Sequence, residues 1–209
     1  MKYDVVIVAS GKGQRANLGY NKAFYKMKNG KTVLQNSASL FIDDKDCQNI
    51  IVVTNKEYFD QVFTCDKLTI VCGGQERRDS VFNGLEKVAS EYVLIHDAAR
   101  PFLVKESLEE IKNKVVETNA VILAKKSTDT IKIVSDGKIE KTIDRNTVYM
   151  AETPQAFKTS LIKECYDKCE HINFTDDALL CEQLGYEVYV VEDKYNNKKL
   201  TLEEDFNNL

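Results

Sequence analysis

The sequence contains no apolar run long enough to cross a membrane. It has no excess of positive charge either, with 29 Lys and Arg against 33 Asp and Glu and a formal net charge of −4. General affinity for nucleic acid is therefore not expected, and any anion site must be local. No Cys-x-x-Cys pair occurs among Cys47, Cys65, Cys72, Cys165, Cys169 and Cys181, and the only histidines are His96 and His171. That usage fits reduced thiols rather than a disulfide framework or a zinc site. No Gly-x-x-x-x-Gly-Lys-Ser/Thr pattern occurs, which argues against a Walker-type P-loop. Met1-Lys2-Tyr3-Asp4 leads straight into an apolar run with no secretory h-region or transit peptide, so a cytoplasmic location is expected. Repeats, low-complexity tracts and linkers are missing, and residues 1–209 read as a single domain.

What is present is the composition of a soluble globular protein, 43% hydrophobic and 30% charged. A chain of this length buries about 70% of the surface that its unfolded form exposes. Short Val- and Ile-rich runs at Tyr3–Val8, Asn49–Thr54, Leu68–Cys72, Tyr92–His96 and Ala120–Ala124 suit strands covered on both faces. Between them lie helical stripes: Val33, Leu34, Ser37 and Phe41; Val81, Leu85 and Val88; Leu108, Ile111 and Val115. Alternating β and α units imply an α/β fold with a mostly parallel sheet. Residues 128–150 break this rhythm. Thr130–Val134 alternates, Ser135-Asp136-Gly137 turns, and Lys138–Ile143 returns, which is a hairpin signature. So polar a hairpin is expected to project as a β-arm, either onto its own domain or onto a second copy of the chain. Helical spacing resumes at Leu161–Cys165 and Ala178–Leu184, before a strand at Glu187–Val191 and a short terminal helix.

The first strand runs into Ser10-Gly11-Lys12-Gly13-Gln14-Arg15, with Lys22 beyond it. Glycines let backbone N–H groups approach phosphate closely, and the cations can face a triphosphate. Gly11-x-Gly13-x-x-Ala16 also fits a dinucleotide fingerprint. That motif needs a helix opening directly from the glycines and a ribose-binding acid at the end of the next strand. Here Asn17–Asn21 read as loop and the next strand ends in Thr54-Asn55, so a mononucleotide triphosphate fits better.

Asp97 and Arg100 stand in His96-Asp97-Ala98-Ala99-Arg100-Pro101, at the carboxyl end of the fourth strand, the edge where open α/β sheets bind ligands. An Asp there is a natural Mg²⁺ ligand and Arg100 a bidentate phosphate donor. The structural alternative is an Asp that caps the next helix and pairs with Arg100. Gly73-Gly74-Gln75 after the third strand allows close backbone approach to a base, with Ser80 as a further donor; alone, it reads equally as a glycine turn into a charged helix. Thr175 before Asp176-Asp177 is placed as a helix N-cap. Lys198-Lys199 alone would read as solvated surface.

Taken in order, these segments resemble the 2-C-methyl-D-erythritol 4-phosphate cytidylyltransferase family over almost the whole chain. The resemblance runs through Ala9–Gly13 with Arg15 and Lys22, Gly73-Gly74-x-x-Arg77-x-x-Ser80, His96–Pro101, Asp129-Thr130, Thr142–Asn146, Thr153–Phe157, Thr175–Ala178 and Asn197-x-Lys199-x-Thr201. It implies a Rossmann-like fold of the nucleotide-diphospho-sugar transferase type. It also implies a reaction joining CTP to a small polyol phosphate with release of pyrophosphate. By the same resemblance Arg15, Lys22, Lys199 and Arg145 serve catalysis, with Arg145 acting from the arm of a homodimer partner. Ala9, Ser10, Gly11, Gly73, Gly74, Gln75, Ser80 and Ala98 would hold the nucleotide. Asp97 would carry Mg²⁺ or another divalent cation, and Arg100, Thr130 and Thr175 would bind the acceptor. This chain has Asn21 where the family usually has proline before the lysine, Ala23 where it has glutamine, Gln75 where it has an acid, and Gln14 beside Arg15. These departures are expected to loosen the first loop without removing activity. Ribitol 5-phosphate cytidylyltransferase shares the fold and much of the motif set and remains the alternative, with a dinucleotide-dependent oxidoreductase more distant.

Overall fold

The computed structural model describes residues 1–11, 13, 16–169, 174–207 and 209. Its strands are β1 (Tyr3–Val8), β2 (Cys47–Thr54), β3 (Leu68–Cys72), β4 (Tyr92–Asp97), β5 (Ala120–Lys126), β6 (Ile131–Ser135), β7 (Lys138–Ile143), β8 (Tyr149–Lys158) and β9 (Tyr189–Glu192). The helices are α1 (Val33–Asp43), α2 (Arg77–Leu85), α3 (Lys105–Thr118), α4 (Thr159–Lys168) and α5 (Ala178–Gln183). Seven strands form one sheet in the order β3-β2-β1-β4-β8-β5-β9, and β6 and β7 pair separately. Only β8 runs antiparallel to its neighbours in the large sheet.

Both faces of the sheet are covered, as the continuous apolar strands require. Val5, Ile7, Ile50, Val52 and Leu94 pack with Leu34 and Phe41 of α1 and Leu108, Ile111 and Val115 of α3. On the other face Val6, Ile51, Val53, Val93 and Ile95 meet α2, α4 and α5 through Val81, Leu85, Ile162, Tyr166 and Leu180. Local chemistry sets the helix ends. Thr32 and Gln35 form a reciprocal capping box at α1, and Asn119 ends α3 with φ of 64°. Val88 is buried beyond the end of α2 rather than within it.

The sequence pattern alone marks no strand over 149–158, and Thr153–Phe157 enter only within the family resemblance. The structure instead makes 149–158 a full strand between β4 and β5. Glu152, Thr153 and Gln155 hid it by breaking the apolar pattern, and Pro154 cannot donate to a ladder. The register against β5 shifts between Ile122 and Ala124, opposite this stretch. The buried polar side chains are satisfied across segments: Thr153 by His96, and Gln155 by Asp176 and the N–H groups of Asp177 and Ala178. Those last bonds also correct the placing of Thr175 as N-cap. Asp177 holds the cap position, Gln155 Oε1 takes the free N–H groups, and Thr175 is exposed.

The hairpin β6–β7 is present, and nearly all of its residues are exposed. The six cysteines are unbridged.

Candidate active site

Strand register brings the chemistry to one edge. Val8 of β1 stands beside Val53 of β2 and Asp97 of β4, and Thr54 stands beside Cys72 of β3. The segments that follow these strands therefore leave the sheet together. They line a cleft of about 1000 Å³ that includes Ala9, Ser10, Gly11, Lys22, Gly74, Gln75, Arg77, Asp97, Ala98 and Lys199.

Asp97 lies in its floor. Lys199 Nζ donates to Asp97 Oδ2 at 2.6 Å, and Arg77 Nε lies 3.5 Å from Oδ1. Burial alone would push the Asp97 carboxyl up, but Arg77 and Lys199 together hold it well below the usual carboxylate range. Asp97 is thus an anion at every working pH. It neither caps α3, which starts at Lys105, nor pairs with Arg100. Lys199 is a cleft residue rather than solvated surface. Its neighbour Lys198 is the exposed one and pairs with Asp205.

Behind Asp97 the wall is polar, and the groups nearest the carboxylate are hydrogen-bonded. The Asp97 N–H donates to Thr153 Oγ1, which meets His96 Nδ1, and His96 Nε2 meets Arg100 O at 3.1 Å. This network assigns the neutral tautomer with the proton on Nε2. Burial lowers the His96 pKa to about 4, in keeping with that assignment.

Lys22 reaches the cleft from a short 3-10 turn and donates to Leu200 O at 2.6 Å. Asn21, where proline was expected, is buried and well anchored. Its Oδ1 accepts from Ala23 N–H, its Nδ2 donates to Ala9 O, and its N–H donates to Tyr58. The side chain thereby ties the Lys22 turn to the end of β1, a restraint that the substitution alone did not foretell.

The glycine turn after β3 is tightly packed. A Cβ on Gly73 would stand 2.5 Å from Ser10 Cβ, and one on Gly74 would stand 2.1 Å from Asp79 Cβ. Ser80 is buried, and its hydroxyl joins Ser10 Oγ at 2.7 Å, Gly74 N–H and Glu76 O. These glycines make room for protein atoms, and Ser80 ties the loop after β1 to the turn after β3.

The remaining sequence-picked residues stand apart from the cleft lining. Arg100 is buried, donates to Asn197 O at 2.7 Å and lies 3.5 Å from Glu152 Oε1. Thr130 and Thr175 are exposed. Arg145 is exposed on the turn after β7 and donates to Thr128 O in its own chain. Arg15, with Lys12 and Gln14, lies outside the described residues. Arg77 received no role from the sequence, although it stood in the quoted motif. Its partners lie 20 and 100 residues away, so spacing carried no signal of them.

Comparison with known proteins identifies the family. The family model for 2-C-methyl-D-erythritol 4-phosphate cytidylyltransferase matches residues 3–208. The enzyme of that name from Bacillus licheniformis is 40% identical over 98% of this chain and 93% of its own length. Among solved structures, 4-diphosphocytidyl-2C-methyl-D-erythritol synthase from Anaerococcus prevotii superposes with a TM-score of 0.87 at 33% identity, covering 98% of this chain and 92% of its own. The cytidylyltransferase from Francisella tularensis gives a TM-score of 0.84 at 30% identity, covering 99% and 97%. The chain belongs to the 2-C-methyl-D-erythritol 4-phosphate cytidylyltransferase family, a family of nucleotidyltransferases.

Proposed function

We propose that this chain transfers CMP from CTP to the phosphate oxygen of 2-C-methyl-D-erythritol 4-phosphate, releasing pyrophosphate, in cytoplasmic isoprenoid precursor synthesis. The observation that carries this reading is Asp97, held as an anion between Arg77 and Lys199 in a cleft that Lys22 and two glycine loops also line. An acceptor oxygen attacks the α-phosphorus as the bond to pyrophosphate breaks. The acceptor phosphate is already ionised, so no protein nucleophile is needed. Positioning and electrostatics carry the rate.

Lys22 and Lys199 supply positive charge on two sides of the cleft, and Arg15 is assigned a third such role by resemblance. Ala9–Gly11, Gly74, Gln75 and Ala98 line the nucleoside side of the cleft, with Gly73 and Ser80 packed behind them. Among the described residues there is no group of three or more His, Cys, Asp or Glu side chains able to cage a metal. A single carboxylate suits Mg²⁺, which binds through one or two acids plus phosphate oxygens. Asp97 is the residue that would hold it, and the ion would neutralise charge on the phosphates.

Arg100, Thr130 and Thr175 are assigned to the acceptor, with Arg145 delivered by the arm of a second copy in a homodimer. The arm supports this reading through Ile133, Val134 and Ile139, which are 45%, 54% and 65% exposed in the single chain. The test is pyrophosphate release from CTP and Mg²⁺ with 2-C-methyl-D-erythritol 4-phosphate, D-ribitol 5-phosphate or neither. Strong preference for the first supports the reading. Preference for the second, or no release by folded chain, overturns it.

A further inference from the structure

Arg77 joins three segments that are distant in the sequence. It opens α2 directly after the glycine turn, and it lines the cleft. Its Nη2 donates to Asp177 Oδ2 at 2.7 Å while Nε faces Asp97 Oδ1 at 3.5 Å. Asp177 is fully buried. Its other carboxylate oxygen accepts from the Tyr166 hydroxyl at 2.6 Å, and its N–H donates to Gln155 Oε1 at 3.1 Å. The helix that carries Arg77 is pressed against the sheet, since a Cβ on Gly84 would stand 2.5 Å from Val6 Cγ1. Arg77 is therefore held from its own side as firmly as Asp177 is held from the other.

Stability does not account for this bridge. Two buried carboxylates around one guanidinium are weak grounds for stability, because desolvation offsets the attraction. Nη1 is also buried with no partner, which weakens the case further. Placement accounts for it better. Asp177 stands two residues after Thr175, and Asp97 stands in the floor of the cleft. A planar guanidinium addresses both acids at once, whereas an ammonium on a flexible stem does not hold that geometry.

We propose that Arg77 is a positioning residue that fixes the 175–178 segment in register with Asp97, so that the acceptor meets the nucleotide in line. The residue acts through Asp97 and Asp177 and need not touch the acceptor. This inference rests on the acceptor assignment made above.

The test uses the full chain carrying Arg77→Lys, or Arg77→Met together with Asp177→Asn. Melting temperature, kcat, and KM for CTP and for the acceptor are measured. The double variant removes the guanidinium and its buried counter-charge together, so its melting temperature is expected to stay near that of the unmodified chain. Its KM for 2-C-methyl-D-erythritol 4-phosphate is expected to rise about tenfold or more, and by clearly more than KM for CTP. Arg77→Lys is expected to keep the fold without restoring acceptor KM. An unchanged acceptor KM in either folded variant, or both KM values rising in step with lost melting temperature, overturns the inference. Failure of the unmodified chain to release pyrophosphate with this acceptor would instead overturn the reading beneath it.

Discussion

Gly73→Ala probes whether the contact between the loop after β1 and the turn after β3, which we propose hold the nucleotide, sets CTP binding. The added methyl carbon would stand 2.5 Å from Ser10 Cβ, 3.1 Å from Ser10 Oγ and 3.3 Å from Ser80 Oγ. Carbon atoms rest at about 3.5–4.0 Å, so Ser10 must retreat by about 1 Å. Retreat breaks the 2.7 Å bond between the Ser10 and Ser80 hydroxyls. Overpacking costs about 1–3 kcal/mol and the lost bond about 1 kcal/mol. The sum, about 2–4 kcal/mol, lowers the melting temperature by about 5–10 °C for a chain of this size. The backbone at Gly73 is not in the left-handed region, so the cost is steric alone. A displacement of about 1 Å in a substrate-positioning loop costs about 10²-fold in rate. The assay is steady-state pyrophosphate release with CTP varied, beside a thermal melt. Adding Ser10→Gly removes the clashing carbon and is expected to return most of the melting temperature without restoring the nucleotide contact. Unchanged kcat/KM for CTP in Gly73→Ala would refute the link between loop packing and nucleotide binding.

Lys22→Ala should keep the fold yet lower kcat about 10²–10³-fold, the scale of one preorganised charge contact to a transition state, measured as turnover at saturating substrates. For His96, burial lowers the folded pKa from 6.5 to about 4. The unfolded chain therefore binds a proton first as pH falls. Its stability contribution is full above pH 6.5 and declines toward pH 4, by about 3 kcal/mol in all. Urea unfolding at pH 7 and pH 4.5 should show that decline shrinking in His96→Gln; an equal decline in both chains would count against it. If Arg145 acts in the neighbouring subunit, mixed Arg145→Ala and Lys22→Ala chains should recover about a quarter of full activity after co-refolding, from random pairing in a two-fold dimer. No recovery would place Arg145 outside the partner's site.

Strands and helices with a strong local pattern were legible in the sequence. β1, β3 and β7 fall where their apolar or alternating runs end, and α1, α2 and α3 follow the stripes that face the sheet. Lys22 and Asp97 were legible from their places after β1 and β4, because segments at strand carboxyl ends gather at one edge of a parallel sheet, whereas Gly73, Gly74 and Lys199 were singled out only through the resemblance to the family. β8 was hidden because its buried side chains are polar, and polar side chains in a core are permitted only by partners elsewhere in the chain. Glu152 needs Asn197 and Arg100, Thr153 needs His96, and Gln155 needs the start of α5. Asn21 and Arg77 follow the same rule, since their importance lies in contacts with Ala9, Tyr58, Asp97 and Asp177 that no local window contains. The sequence by itself determined the alternation of elements and the inventory of cations and acids, because periodicity and residue chemistry are local. Tertiary structure alone decided which charges meet, because a buried charge is tolerable only where the fold supplies its counterpart.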